Sequence, residues 1–232
     1  MILITRQKNF ARQTSAKLMK FGYKTLSLPM LHMSYMYKDL MDDNYTAIII
    51  TSKNSVHAIS HLKWLKKKKI YAVGLKTKDS LKRIGCNNLI SCEESSQNIH
   101  ALIKLVKENE QPNTKLLYIS GVDVACDIEK ELIDYYIKRE IVYKALVTKS
   151  LSLQAIDSIN SLINIVLFYS PRSALAFSKL IQKYKITPIN KIAICISHNT
   201  ALNLDKKEWH NIIISKNSNE DSIMERVEAL LQ

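Results

Sequence analysis

One short pattern occurs twice in this chain, and it restricts the fold more than any other feature. Tyr45-Thr46-Ala47-Ile48-Ile49-Ile50 is an apolar run that breaks into Thr51-Ser52-Lys53-Asn54-Ser55, and Val56, Ile59 and Leu62 follow at helical spacing. Asn164-Ile165-Val166-Leu167-Phe168-Tyr169 behaves alike: it breaks into Ser170-Pro171-Arg172-Ser173 ahead of Ala174, Phe177, Leu180 and Ile181. Each copy reads as a buried strand, a hydroxyl-rich turn and the start of a helix. Ser, Thr, Asn and Pro suit the first positions of a helix and leave backbone N–H groups pointing outward. Such a turn at the carboxyl end of a parallel strand is where open α/β sheets hold anionic ligands. Two of them predict two sheets, each with a ligand-facing edge.

The rest of the chain extends the repeat. Ile192-Ala193-Ile194-Cys195-Ile196 with Ser197-His198-Asn199-Thr200 mirrors Ile70-Tyr71-Ala72-Val73 with Gly74-Leu75-Lys76-Thr77. The strand at 211–215 mirrors 88–91, and the last helix (Ile223, Val227, Leu230, Leu231) mirrors the one with Ile99, Leu102, Ile103 and Val106 behind Ser95-Ser96. The opening β-α-β pattern over 2–28 mirrors 116–146, where a strand at 115–119 breaks at Ser120-Gly121, a helix carries Ile128, Leu132 and Tyr135 or Tyr136, and a strand covers 141–146. The repeat is therefore permuted, with the N-terminus completing the second half. At about 120 residues its period is domain-sized and too long for a solenoid. The expected plan is a discontinuous domain of 1–32 plus 149–232, an inserted domain of 37–143, and linker strands at 33–36 and 144–148. Alternating strand and helix signals make both domains parallel α/β sheets, with a cleft expected between them.

Composition excludes several function classes. No apolar run reaches the roughly 20 residues of a membrane span, and the opening Met1-Ile2-Leu3-Ile4-Thr5-Arg6 is charged too soon for a signal peptide and reads as a first strand. The 4 cysteines, Cys86, Cys92, Cys126 and Cys195, form no C-x-x-C pair and read as reduced thiols of a cytoplasmic protein. A formal charge of +13 suits a polyanionic partner. The densest run, Lys66-Lys67-Lys68-Lys69, lies between a helix and a strand and reads as a solvated loop. No aromatic platform is interleaved with basic residues, so no nucleic-acid motif is present, although a charge-driven nucleic-acid reading would predict steep salt dependence. Neither G-x-G-x-x-G nor a P-loop occurs, and no Ser/His/Asp set or metal-ligand spacing stands out.

Four turns hold the candidate binding residues: Thr51-Ser52-Lys53, Gly74-Leu75-Lys76-Thr77, Ser170-Pro171-Arg172, and Ser197-His198-Asn199-Thr200. One exposed helix N-terminus stabilises an anion by only about 0.3–1 kcal/mol, so several are needed to hold a ligand rich in carboxylates. For any single turn, ordinary N-capping accounts for the same residues. His57, His61 and His100 fall on helices as surface or packing residues, and His198 falls in a candidate turn.

With these turns and their order in view, the sequence resembles uroporphyrinogen-III synthase over nearly its whole length. The likeness rests on Ile2-Leu3-Ile4-Thr5-Arg6, Ile48-Ile49-Ile50-Thr51-Ser52, Val73 to Thr77 with Gly85 behind, Ser120-Gly121, Val142-Tyr143, Phe168-Tyr169-Ser170-Pro171, and Ile196 to Ala201. The family's usual Pro after Thr-Arg is Gln7 here, the Gly before the later Thr-containing turn is Ser197, and an Arg often found after Ser120-Gly121 is Ala125. The resemblance implies two similar flavodoxin-like or Rossmann-like domains joined by a two-stranded linker. It implies a cofactor-independent, metal-free lyase that closes hydroxymethylbilane, a polyanionic tetrapyrrole, to uroporphyrinogen III with the terminal ring inverted. Tyr143 is then the candidate proton donor and Thr200 its companion, while a strand tyrosine at the domain junction is the other reading of Tyr143. Arg6, Ser120 and Gly121 join the turn residues as candidates for substrate binding. A monomer is expected, taking substrate from hydroxymethylbilane synthase. The competing class is a non-enzymatic two-domain binding protein for an anionic metabolite.

Overall fold

The computed structural model describes residues 1–92 and 98–230. The chain divides into two compact units, Met1–His32 with Leu146–Gln232, and Met33–Ala145. Ser95, Ser96 and Leu231, read above as flanking or belonging to helices, lie outside the described residues.

The first unit is built on strands β1 (Ile2–Ile4), β2 (Thr25–Ser27), β9 (Ile165–Phe168), β10 (Ile192–Cys195) and β11 (Asn211–Ile214), in the order β11-β10-β9-β1-β2. Every pairing in it is parallel. Its strands are nearly continuous apolar runs because helices cover both faces. One face packs Leu3, Val166 and Phe168 against Phe177, Leu180 and Trp209. The other packs Ile2, Ile4 and Leu167 against Leu18, Ile223 and Val227. The covering helices include α1 (Lys8–Lys20), α6 (Leu153–Ser161), α7 (Pro171–Lys183), α8 (His198–Ala201) and α9 (Glu220–Ala229).

The second unit is built on strands β4 (Ala47–Ile50), β5 (Lys69–Ala72), β6 (Leu89–Ser91) and β7 (Lys115–Gly121) with most of β3 (Leu31–Tyr35) and β8 (Tyr136–Val147), whose outer ends belong to the first unit; the sheet is ordered β3-β8-β7-β4-β5-β6. The β8, β7, β4, β5 and β6 pairings are parallel. Helices α2 (Lys53–Ile59), α3 (Leu75–Arg83), α4 (Ile99–Asn109) and α5 (Ile128–Glu131) accompany it. Ile48, Ile50 and Leu117 fill one core, and Ile49, Tyr71 and Tyr118 the other. The predicted α/β class with parallel sheets is what the chain adopts. No helix among the described residues is long and apolar enough to cross a membrane.

Three local expectations need correcting. The helix expected to reach Tyr135 or Tyr136 stops at Glu131, and β8 begins at Tyr136, well before 141. Tyr135 instead donates its hydroxyl to the Glu110 carbonyl at 3.1 Å. Ser120-Gly121 does not end a strand as an open turn; both residues lie inside β7 and are buried, at a register shift against β8. The four-lysine run is not a free loop: Lys63–Lys67 is a 3-10 turn, Lys68 pairs with Asp42 at 2.8 Å and Lys69 with Glu110 at 2.9 Å. All four cysteines are free thiols.

Candidate active site

Parallel strands bring their carboxyl ends to one edge of each sheet, and the candidate residues fall on those edges. In the second unit, β4 delivers Thr51 and Ser52 into α2. The Ser52 hydroxyl accepts the Asn54 N–H at 3.2 Å, and the buried Ser55 hydroxyl ties the helix to the Ile119 carbonyl at 3.1 Å. The neighbouring strand β5 leads to Gly74, whose φ of 73° and ψ of 158° are backbone values that a side chain disfavours. Helix α3 starts there without a side-chain cap, and Thr77, expected to face a ligand, is buried within its first turn.

Two residues of β8 close over the end of β7. The Tyr143 ring lies so near Gly121 that a Cβ there would sit 2.5 Å from Cζ and 2.9 Å from the hydroxyl. Only a glycine lets the ring lie flat on the chain at this point. Tyr143 is half-buried, and its hydroxyl makes no hydrogen bond among the described residues. The second residue is Arg139, which the sequence reading missed. Its Nε donates to the Ser120 hydroxyl at 2.8 Å, and its Nη2 donates to the carbonyls of Gly121 at 2.8 Å and Val122 at 3.1 Å. Ser120 is therefore buried beneath Arg139 and is not presented to solvent. The guanidinium also lies 5.8 Å from the Tyr118 ring centre. Burial pushes the Tyr118 phenol up, with Thr51 and Arg139 beside it pulling partly back.

Tyr35, at the end of β3, was also missed. Its hydroxyl donates to Asn54 Oδ1 at 3.2 Å, and its ring packs on His57 at 4.4 Å between centres. Burial raises its phenol, and the nearby Tyr37 and Tyr143 add to the effect. Lys53, at the start of α2, is half-buried.

In the first unit, Arg6 follows β1. Its Nη1 donates to Glu220 at 3.0 Å and Thr14 at 3.2 Å, and its guanidinium lies 4.2 Å from the Tyr169 ring centre and 4.8 Å from that of Phe10. Arg6, Phe10 and Tyr169, with Thr5, Gln7, Ser170 and Ser173, line a cavity of about 190 Å³. The Tyr169 hydroxyl is buried there without a hydrogen-bond partner among the described residues, and burial pushes its phenol up to about 12. Ser170 caps α7 by accepting the Ser173 N–H at 3.2 Å, and Arg172 behind it is exposed.

Ser197 caps α8 in the same way, accepting the Thr200 N–H at 3.3 Å. The segment expected to be an open turn is thus the helix His198–Ala201, with His198 and Asn199 both exposed. Thr200 is fully buried, its hydroxyl 3.0 Å from that of Ser197. As a group meant to meet substrate it is corrected by this burial: Thr200 can only position the turn. The hydroxyls of Ser52, Ser170 and Ser197 each accept an N–H of their own helix, which fixes them in the turn while leaving each its own O–H donor.

Comparison with known proteins follows the same lines. A family model described as uroporphyrinogen-III synthase HemD (HEM4) matches residues 12–225. Among solved structures, the chain is similar to the uroporphyrinogen-III synthetase of Helicobacter pylori 26695, with 20% identity, a TM-score of 0.66, and coverage of 99% of this chain and 98% of that one. It is similar also to a mutant uroporphyrinogen III synthase from the extremely thermophilic bacterium Thermus thermophilus, with 14% identity, a TM-score of 0.51, and coverage of 100% and 99%. At such identities both likenesses speak for the fold. No curated protein sequence matches.

Proposed function

The chain belongs to the uroporphyrinogen-III synthase family, a cyclising lyase of tetrapyrrole biosynthesis, and from that premise we propose which of its residues carry the reaction. Hydroxymethylbilane loses its terminal hydroxyl, passes through a spiro intermediate and closes with the last ring inverted. For the hydroxyl to leave, its oxygen must take up a proton as the C–O bond breaks, so that water departs. The pyrrole that is attacked later gives up a proton as it regains aromaticity, and the acid is restored with no net change.

Tyr143 is the proposed donor. The observation that supports it is the free hydroxyl on a ring held against Gly121, at the carboxyl end of a parallel strand, where α/β folds bind their ligands. The hydroxyl is available because no acceptor among the described residues takes it, and the ring is fixed by packing, which favours a defined direction of approach. Thr51, Lys53, Gly74 and Gly121 form the binding part of that edge. Arg6, Arg172, His198 and Asn199 serve the edge of the other sheet, and Thr200 acts by holding Ser197 in place. The free substrate closes to the type I isomer unaided, so prompt receipt from hydroxymethylbilane synthase belongs to this reading, with the chain acting as a monomer.

The test is Tyr143→Phe assayed with hydroxymethylbilane, separating type I from type III product. The expected result is a folded protein whose formation of type III slows by roughly 10²–10⁴-fold, the range of lost general acid catalysis. A variant making type III at the parent rate removes Tyr143 as the acid.

A further inference from the structure

We propose that Arg139 anchors a substrate carboxylate beside Tyr143, and so determines which end of the tetrapyrrole meets the acid. This rests on reading the carboxyl end of β7 as the reacting edge. Arg139 is half-buried, yet no carboxylate lies within 4.0 Å of it among the described residues; all its acceptors are neutral, namely the Ser120 hydroxyl and the carbonyls of Gly121 and Val122. An arginine keeps its charge at any pH the protein meets, and burial without a counter-ion is costly. A guanidinium left without a carboxylate and held at a strand end is ready for an anion from outside.

Geometry adds direction. Three donated hydrogen bonds employ Nε and both hydrogens of Nη2, which leaves the two Nη1 hydrogens without an acceptor among the described residues. The same three bonds fix the guanidinium plane, so less side-chain freedom is lost when a carboxylate docks. Arg139 grips the Gly121 carbonyl, while the Tyr143 ring rests on the same glycine. The register shift at Ser120/Gly121 falls between them, so Arg139 stands on the Tyr118 side of the sheet while Tyr143 packs towards Ile119 and Val142, and the link between the two runs through Gly121 itself. One backbone residue thereby links the proposed acid to a cation. The substrate class is then specified further: a tetrapyrrole with a carboxylate arm close to the hydroxymethyl group that leaves.

The probe is uroporphyrin III, the oxidised octacarboxylate form of the product. Arg139→Gln retains a polar side chain and removes its charge. Its Kd for uroporphyrin III should rise roughly ten- to hundredfold, as expected for losing hydrogen bonds to a charged group, and Arg139→Lys should recover part of that loss. With hydroxymethylbilane, KM should rise more than kcat falls, and the type I share should grow. In wild-type protein labelled with ¹⁵N-arginine, the Arg139 Nε–H resonance should shift on titration with uroporphyrin III; this measurement decides the matter if the Gln variant does not fold. An unmoved resonance, or a Kd within about twofold of the parent in a folded Arg139→Gln, overturns the proposal. In that event a slow Tyr143→Phe leaves the reading of the edge standing, whereas a Tyr143→Phe at parental rate removes the edge as well.

Discussion

Gly121→Ala tests the packing on which the reacting edge depends. Gly121 is not at positive φ, so alanine meets no backbone penalty there. The whole effect must come from its Cβ, which would lie 2.5 Å from Tyr143 Cζ, 2.7 Å from Cε2 and 2.9 Å from the hydroxyl. Carbon atoms in good contact are about 3.5–4.0 Å apart, so the ring has to retreat by about 1 Å. Overpacking of this kind costs roughly 1–3 kcal/mol, and a misplacement of about 1 Å can lower turnover by about 10²-fold. The substitution should therefore weaken both stability, read by equilibrium urea denaturation, and formation of type III product. In a Tyr143→Ala background the obstacle is gone, and Gly121→Ala should fall within about 0.5 kcal/mol of neutral. That leaves a coupling of roughly 1–3 kcal/mol between two residues in contact. Additive effects, with a coupling below about 0.5 kcal/mol, would refute the claim that the ring lies on Gly121.

Two further substitutions test the stability of each unit. Tyr169→Phe removes a buried hydroxyl with no partner among the described residues, so it should leave the protein equally stable or up to about 1 kcal/mol more stable at neutral pH; a clear loss in urea denaturation would contradict this. With its phenol raised to about 12 in the folded chain and near 10 when unfolded, Tyr169 costs nothing below about pH 10, and stability is lost between about pH 10 and 12; the Phe variant should lose less there. Glu110→Ala leaves the buried Tyr71 hydroxyl, 2.7 Å from its carboxylate, and Lys69, 2.9 Å away, without their acceptor. It should cost about 2–4 kcal/mol, with part regained on adding Tyr71→Phe, and no regain would mean that the hydroxyl is not what suffers.

The fold was largely legible because its signals are local. Ile48-Ile49-Ile50 and Val166-Leu167-Phe168 are apolar on both faces, as central parallel strands must be, and the turns after them carry good N-caps. Strand β8 was only half legible. The charged run Lys138-Arg139-Glu140 gives no strand signal, and nothing nearby in the sequence reveals that Arg139 pairs across to Tyr118 in β7. That register is a non-local fact, and it is what brings the guanidinium to Ser120 and Gly121. The hydroxyl turns were legible as turns but not as sites. A hydroxyl that only caps its helix and one that also meets a ligand have the same sequence, and it is burial that removes a candidate, as at Thr200.

This distinction bears on where selectivity can arise. With Thr200 enclosed and Arg6 paired with Glu220, the edges hold fewer free polar groups than their composition suggests. The proposed task is also unusual, because the substrate closes without help and the enzyme must chiefly choose the product. Choice depends on the difference between two barriers, and about 1.4 kcal/mol changes an isomer ratio tenfold. A hydrogen-bonded contact to a charged group contributes about 1.5–3 kcal/mol, so one well-placed cation is enough to alter that ratio from a minor bias to near exclusion. In the proposed roles, loss of the acid would slow the reaction, and loss of the anchor would let the substrate close without inversion of its last ring. If Tyr143 and Arg139 hold these separate roles, Tyr143→Phe should lower the rate of type III formation by the larger factor, while Arg139→Gln should lower the type III fraction among the products the enzyme itself forms. The reverse pattern, with isomer choice lost at Tyr143 and rate alone lost at Arg139, would mean that the aromatic ring orients the substrate and the cation only attracts it.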